Sequence, residues 1–234
     1  MHLTAQTVRR PEADRRVVLS WSGGKDSALA LHALAKTSGV RVEGLLTTII
    51  RDTDRISAHG VRRTLLEAQA AHLRLPLWFN SIGNGASNAA YEESMAEAFA
   101  ACRARGVTTV AFGDLFLEDV RAYRDRLVVA HEMQALYPVW RRDTGRLIQE
   151  FLGYGFKTAV VCVDPKQLNP SFVGRVIDEQ FLADLPPGVD PCGENGEFHT
   201  FVFDGPMFAE RVRFSFGEIA CRDGFWFCDL VPVA

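Results

Sequence analysis

Residues 17–27 read VVLSWSGGKDS, so a short apolar run enters a pair of glycines and leaves through Lys, Asp and Ser. That order fits a buried strand, a tight turn and the start of a helix. Gly23 and Gly24 lack a Cβ, which lets the backbone take positive φ and approach a ligand closely, while the amides opening the next helix point outward unpaired. Those donors and the positive helix end suit an anion, so the segment predicts a phosphate-binding loop. Lys25 adds a formal charge, the hydroxyls of Ser22 and Ser27 can donate to phosphate oxygens, and Ser20 closes the strand. Asp26 fits such a cradle if it caps the helix or holds Mg2+ between phosphates. The nucleotide loop G-x-x-x-x-G-K-[ST] is excluded by counting, because Leu19 and Asp26 stand where it needs Gly and Ser or Thr.

Strand-like runs at 17–20, 42–50, 76–79 and 107–112 alternate with helical patterns at 25–36, 58–73 and 88–105. The alternation predicts an α/β domain with a parallel sheet and helices on both faces, because the strands are too uniformly apolar to have a wet side. Ligands of such sheets sit at the carboxyl ends of strands. One rim therefore gathers Ser20 to Ser27, Thr47 and the pair Gly113-Asp114. A carboxylate ending a buried strand is costly unless paired or metal-bound, which marks Asp114 for Mg2+ or phosphate. A helix over 118–136 stops at Tyr137-Pro138, and the texture then changes. Helices at 144–152 and 171–182, a strand at 158–163 and later β-like segments predict a smaller α+β domain, dividing the chain into 1–136 and 137–234. Residues 2–16 read as a loose polar lead-in.

With 234 residues, 47% hydrophobic and 24% charged, the chain can build its core without staples. Five cysteines without a C-x-x-C pair argue against a disulfide framework or a four-thiolate zinc site and for a reducing compartment, the cytoplasm by default. No apolar run reaches the ~18 residues of a membrane helix. A net charge of −3 offers nucleic acid no general attraction, although the arginine clusters at 62–63, 121–126 and 141–142 could act locally; the plainer reading of each is a solvated helix face.

Residues 190–208, DPCGENGEFHTFVFDGPMF, pack turn formers, acids, a His and a Thr around a short apolar strand. Strand alternation places Glu197 and His199 on one face, opposite Phe198, Thr200 and Val202. Such a pair can serve as general acid and base or bind a polar substrate. Equally, the Gly-Glu-Asn-Gly turn can simply begin a hairpin. The residues leave both readings open.

Resemblance goes further. Ser22 to Ser27, S-G-G-K-D-S, resembles the loop of the PP-loop ATP pyrophosphatases, which cleave ATP between the α- and β-phosphates and leave AMP on an acceptor. Residues 192–208 are similar to the C-terminal signature of the diphthine-ammonia ligase family, a branch of those enzymes. The likeness extends to His59-Gly60, 65–76, 111–114, 155–157 and 172–175. It implies a PP-loop fold with ATP and Mg2+ as cofactors, adenylation of a carboxylate, release of pyrophosphate, and amide formation with ammonia or an amine. On that reading Lys25, Asp26 and Asp114 are catalytic, with Asp26 and Asp114 also on Mg2+. Ser20, Ser22, Gly23, Gly24, Ser27, Thr47, His59 and Gly113 surround the nucleotide. Arg121, Glu194, Asn195, Glu197, His199 and Thr200 face the acceptor.

The chain departs from the family after Gly113-Asp114. Where eukaryotic ligases carry Tyr-Gln-Arg and then Arg-Val-Glu, this sequence reads LEDVRAYRD over 117–125, keeping only Arg121 and an acid at 125. The acceptor's identity is thereby in doubt while the ATP chemistry is not. Arg- and Ala-rich composition points to a GC-rich bacterial source, in which the eukaryotic acceptor, a modified histidine of elongation factor two, is not expected. The acceptor is then another carboxylate, small or protein-borne. Two domains use up the length and leave no room for glutamine hydrolysis, so free ammonia or a substrate amine is the expected donor. A homodimer is compatible with all of this. Sulfur transfer to tRNA is disfavoured by the lack of paired cysteines, and a regulatory nucleotide-binding module by the Lys25-Asp26 pair.

Overall fold

A computed structural model describes residues 14–57 and 59–233. Positions 2–13 of the expected lead-in lie outside them, whereas Arg15 and Arg16 already belong to the first strand. In chain order the N-terminal half comprises β1 (Arg15–Ser20), α1 (Lys25–Ala35), β2 (Val40–Ile50), β3 (Arg55–Ile56), α2 (Arg63–Leu73), β4 (Leu77–Ile82), α3 (Asn88–Ala104), β5 (Thr109–Ala111), α4 (Glu118–Ala130) and β6 (Gln134–Leu136). β1 lies between β2 and β5, parallel to both; β4 and β6 extend the parallel sheet, and short β3 pairs antiparallel with the end of β2.

Alternation along β1 accounts for the layers. Val17 and Leu19 share a core with Leu29 and Leu34 of α1 and Leu65 and Leu66 of α2. Val18 packs on the other face with Phe99 of α3 and Val128 of α4. Helices thus cover both faces. Since β2 and β5 leave β1 in opposite directions, a crevice opens beyond the carboxyl end of β1, where open α/β sheets take their ligands.

The C-terminal half holds α5 (Thr144–Gly153), β7 (Lys157–Val163), a 3-10 turn at Pro170–Phe172, α6 (Glu179–Asp184), β8 (Phe198–Asp204), β9 (Phe214–Arg222) and β10 (Phe225–Pro232). Its four strands form an antiparallel sheet ordered β8-β7-β10-β9. Phe156, Val160 and Phe201 of this half join the core that contains Leu29 and Leu66. Among the described residues no helix is long and apolar enough to cross a membrane.

Three expected helices are shorter than their sequence patterns. The one predicted over 118–136 stops at Ala130; Glu132 takes a left-handed φ of 56°, and Gln134–Leu136 becomes an edge strand on β5. Residues 171–182 break because Gly174, at φ +82°, turns the chain so that the Gly174 amide donates to Val160 and the Arg175 carbonyl accepts from it, lengthening the edge of β7. α2 begins at Arg63, after a turn that contains His59, so His59 precedes the helix instead of opening it. In each case a long-range strand pairing or a tertiary contact outweighs local helix propensity.

Candidate functional site

The loop after β1 is shaped by what lies beneath it. Gly23 has φ +76°, and a Cβ there would sit 2.7 Å from Leu66 Cδ2 and 2.8 Å from Gln69 Oε1. Gly113, leaving β5, passes so close to α1 that its Cβ would come within 2.8 Å of the Asp26 backbone. Both positions need glycine because the backbone approaches leave no room for a side chain. Gln69, fully buried on α2, ties the loop down: its Nε2 donates to the carbonyls of Gly23 at 2.9 Å and Val202 at 2.5 Å, and its Oε1 accepts from Trp21 Nε1 at 2.9 Å.

The C-terminal signature packs directly against this loop. The Thr200 hydroxyl of β8 accepts from the Lys25 amide at 3.0 Å, capping α1 from another part of the chain, and the Val202 amide donates to the Gly23 carbonyl at 2.8 Å. Ser22 Oγ accepts from the Gly24 amide at 3.2 Å and lies 3.3 Å from Ser27 Oγ, which donates to the Gly24 carbonyl. An isolated phosphate loop facing a separate acceptor surface is therefore not what forms. The two motifs build one wall together.

Above it opens a cleft of about 610 Å³. It is lined by Ser20, Ser22, Lys25, Asp26, Ser27, His59, Gly113, Asp114, Glu194, Asn195, His199 and Thr200, all singled out in the sequence. Gly23 and Gly24 lie beneath the lining. Three other candidates stand elsewhere. Thr47 is buried, and its hydroxyl donates to the Trp21 carbonyl at 2.7 Å. Arg121 lies against the rings of Tyr137 and Trp140, outside the cleft. Glu197, expected beside His199, is buried; its carboxylate accepts from the amides of Asp190 and Asn195, each at 2.9 Å, and from Asn195 Nδ2 at 3.0 Å. It folds the turn that presents Glu194 and Asn195.

Charge is concentrated at one end. Lys25 is only 2% exposed, and its Nζ lies 2.8 Å from both Asp26 oxygens and 3.9 Å from Glu194. Burial disfavours that ammonium, but Asp26 and Glu194 outweigh burial and hold it above its ordinary pKa, so Lys25 is charged. Glu194 is pushed up to about 8 by burial and by the Asp26 carboxylate beside it. Asp114 Oδ1 accepts from Arg124 Nη2 at 3.1 Å, and Arg124 Nε lies 2.7 Å from Oδ2. That buried Oδ2 receives no aligned donor, which leaves a lone pair of the kind a hard cation takes. Among the described residues no three acidic, His or Cys side chains converge to cage a metal. A divalent ion held by Asp26 and Asp114 would need substrate oxygens to complete its shell, the usual habit of Mg2+.

Beside this charge, over the amino end of α1, sits a neutral aromatic pair. His59 and His199 stack with ring centroids 4.6 Å apart, and His59 Nδ1 lies 3.2 Å from the Thr200 carbonyl. A carbonyl only accepts, so Nδ1 carries the proton. Burial first, then His199 and Lys25, depress His59 to about 3; burial and Lys25 depress His199 to about 4. Both rings are neutral at pH 7 and are poor bases. Cys192 is buried with its thiol pushed up by that burial, so it is not a nucleophile.

Sequence reasoning passed over Gln69, Arg124, Phe112, Leu117, Phe198, Gly193 and Gly196, although all but Gln69 line the cleft. Arg124 resembled any arginine of an ion-paired helix face, and its partner Asp114 lies on a different element. Gln69 sits at an apolar-stripe position of α2, and a polar residue inside such a stripe was the available signal.

Two family models match the chain. The model for the diphthamide synthase N-terminal domain matches residues 15–134, and that for the C-terminal domain matches residues 143–230. A diphthine–ammonia ligase from Danio rerio is 29% identical over 111 residues, covering 45% of this chain and 44% of that protein. The Bos taurus protein of the same name is 26% identical over 133 residues, 55% and 49% of the two chains, and the Homo sapiens one 29% over 107 residues, 44% and 39%. The chain thus spans less than half the length of these relatives. A solved structure described as a predicted subunit of tRNA methyltransferase from Methanocaldococcus jannaschii aligns over 62% of this chain and 80% of that one, with a TM-score of 0.41 and 17% identity.

Proposed function

The chain belongs to the diphthamide synthase family, and on that premise we propose that it is an AMP-forming ligase, which adenylates a carboxylate with ATP and joins the acyl group to ammonia or an amine. The observation that carries this reading is the shared wall of the cleft. A phosphate-type loop with a charged, buried Lys25 is capped by Thr200 of the second motif, so nucleotide and acceptor would meet in one space.

The residues divide the work as follows. The α1 amino end, Lys25, Ser22 and Ser27 bind the ATP phosphates. An acceptor carboxylate oxygen attacks the α-phosphorus; the bond from that phosphorus to the bridging oxygen breaks, and pyrophosphate leaves with the electron pair. Lys25 opposes the charge gathering on the leaving group. Mg2+ on Asp26 and Asp114 would neutralise further phosphate charge. Arg124 holds Asp114 in place, while Glu194 and Asn195 border the space left for the acceptor. The amine nitrogen then attacks the acyl carbon, the acyl–oxygen bond to AMP breaks, and the nitrogen releases a proton to solvent. The neutral rings of His59 and His199 roof the site and keep water from the mixed anhydride.

Isotope transfer tests this reading. Carboxylic acid substrates labelled with 18O in the carboxylate should yield AMP carrying one 18O atom. Unlabelled AMP formed from a labelled, consumed acceptor would mean that the carboxylate never attacked phosphorus, and adenylation would be wrong.

A further inference from the structure

The turn around His59, Gly60 and Arg62, between β3 and α2, is held from the second sheet at two points. Asp229 of β10, with a side chain 13% exposed, receives two arginines from this region. Arg55 Nη1 donates to its Oδ1 at 2.8 Å and to the Gly60 carbonyl at 2.7 Å. Arg62 donates through Nη2 to Oδ2 at 2.5 Å and through Nε to Oδ1 at 3.2 Å. Gly60 rests on Phe227, two residues along the same strand; with φ +66°, a Cβ there would come 3.0 Å from the Phe227 ring. His59 lies between these anchors.

What the clamp fixes is visible on the cleft side. His59 reaches from this turn to the Thr200 carbonyl and stacks on His199, and its Cε1 would be 3.1 Å from a Cβ on Gly24. It therefore covers the amino end of α1. His59 belongs to the first half of the chain and His199 to the second, and the Asp229 bonds to Arg55 and Arg62 join the two halves close to the stack but outside the cleft. Asp229 is the one carboxylate among the described residues that bonds both Arg55 and Arg62.

We propose that Asp229 is a positioning residue: by drawing Arg55 and Arg62 onto β10 it holds residues 59–62 against the second sheet, and so keeps His59 stacked on His199 as the roof of the phosphate-binding end of the cleft. Losing the clamp lets the turn swing out and opens that end to water. An ordinary surface ion pair would contribute little and would affect nothing beyond itself. This one has both guanidinium groups converging on a largely buried carboxylate, the geometry in which charge-assisted bonds fix a conformation. The nucleotide side of the proposal rests on reading the cleft as an ATP site.

The test uses the full chain with Asp229→Asn, which keeps the shape and removes the charge, and two readouts. In the first, NMR titration follows the His59 imidazole, which faces His199, Lys25 and the Thr200 carbonyl. It should stay neutral down to about pH 4 in the unaltered protein and titrate near its ordinary value, about 6.5, in Asp229→Asn. In the second, affinity for α,β-methylene-ATP should fall about tenfold in Asp229→Asn and in His59→Ala, and no further in the double variant, because residues acting through one another are not additive. An unchanged His59 titration, or losses that add in the double variant, overturns the proposal. Should Asp229→Asn fail to fold, Arg62→Gln, which removes one limb of the clamp, must shift His59 in the same direction or the proposal falls. If the unaltered protein binds no nucleotide while His59 still shifts, the clamp stands and the ATP reading fails.

Discussion

Replacing Gln69 by Leu should loosen the phosphate-binding loop at its base. The two side chains are similar in volume, so the loss is polar and not a cavity. Gln69 makes three buried hydrogen bonds, and Leu makes none. Trp21 Nε1, in a side chain 1% exposed, and the Val202 carbonyl lose the side-chain partner that Gln69 provides; the Gly23 carbonyl keeps the Val202 amide at 2.8 Å. Two orphaned groups at ~1–3 kcal/mol each give a destabilisation of about 4 kcal/mol. Urea unfolding followed by tryptophan fluorescence measures it, as a shift in midpoint without a change in slope. Gln69→Glu adds a second check, because one carboxylate oxygen would then face the carbonyls of Gly23 and Val202. Its cost should fall at low pH, where that carboxylate protonates. A loss below about 1 kcal/mol in Gln69→Leu would show that the loop is not anchored through this side chain, and the account of its rigidity would be wrong.

Two further outcomes follow from the cleft. Lys25→Ala should lower acceptor-dependent AMP formation ~100-fold, on the order of 3 kcal/mol of transition-state stabilisation, with the fold retained by circular dichroism; an unaltered turnover number would remove Lys25 from the chemistry. His59 and His199 titrate near 3 and 4 in the native state, below the 6.5 of an ordinary imidazole, so between those values the unfolded chain binds more protons. Their contribution is complete above about pH 7 and is lost on acidification, each ring adding up to about 1.4 kcal/mol per pH unit to the slope. Because Glu194, pushed up to about 8, contributes the opposite slope over the same range, NMR titration of the two imidazoles checks this, and midpoints near 6.5 would contradict the burial of the pair.

The parts of the site that were legible in the sequence are those with local causes. The strand, glycine turn and helix start over 17–27 are written in adjacent residues, and apolar runs alternating with helical patterns were enough to give a parallel sheet, whereas the order that sets β1 between β2 and β5 comes from the structure. Roles set by distant partners were not legible. Glu197 and His199 have the spacing of a strand pair, yet the turn amides of Asp190 and Asn195 claim one and the cleft takes the other. Thr47 ends up behind the rim because Trp21, just past the end of the neighbouring strand β1, offers its carbonyl. Nothing within α4 distinguishes Arg124 from Arg121; only the position of Asp114 does. β6 was hidden inside a helical pattern because its reason for being a strand is the open edge of β5.

The central claim concerns which bond of ATP is broken, and labelled product analysis reads that directly. ATP carrying label in both the α- and γ-phosphates is incubated with the protein, Mg2+, ammonium and a panel of carboxylic acids, and the products are separated by ion exchange. The account predicts α-label in AMP and γ-label in pyrophosphate, formed in equal amounts and only in the presence of an accepted acid. Label appearing in ADP and inorganic phosphate would contradict it.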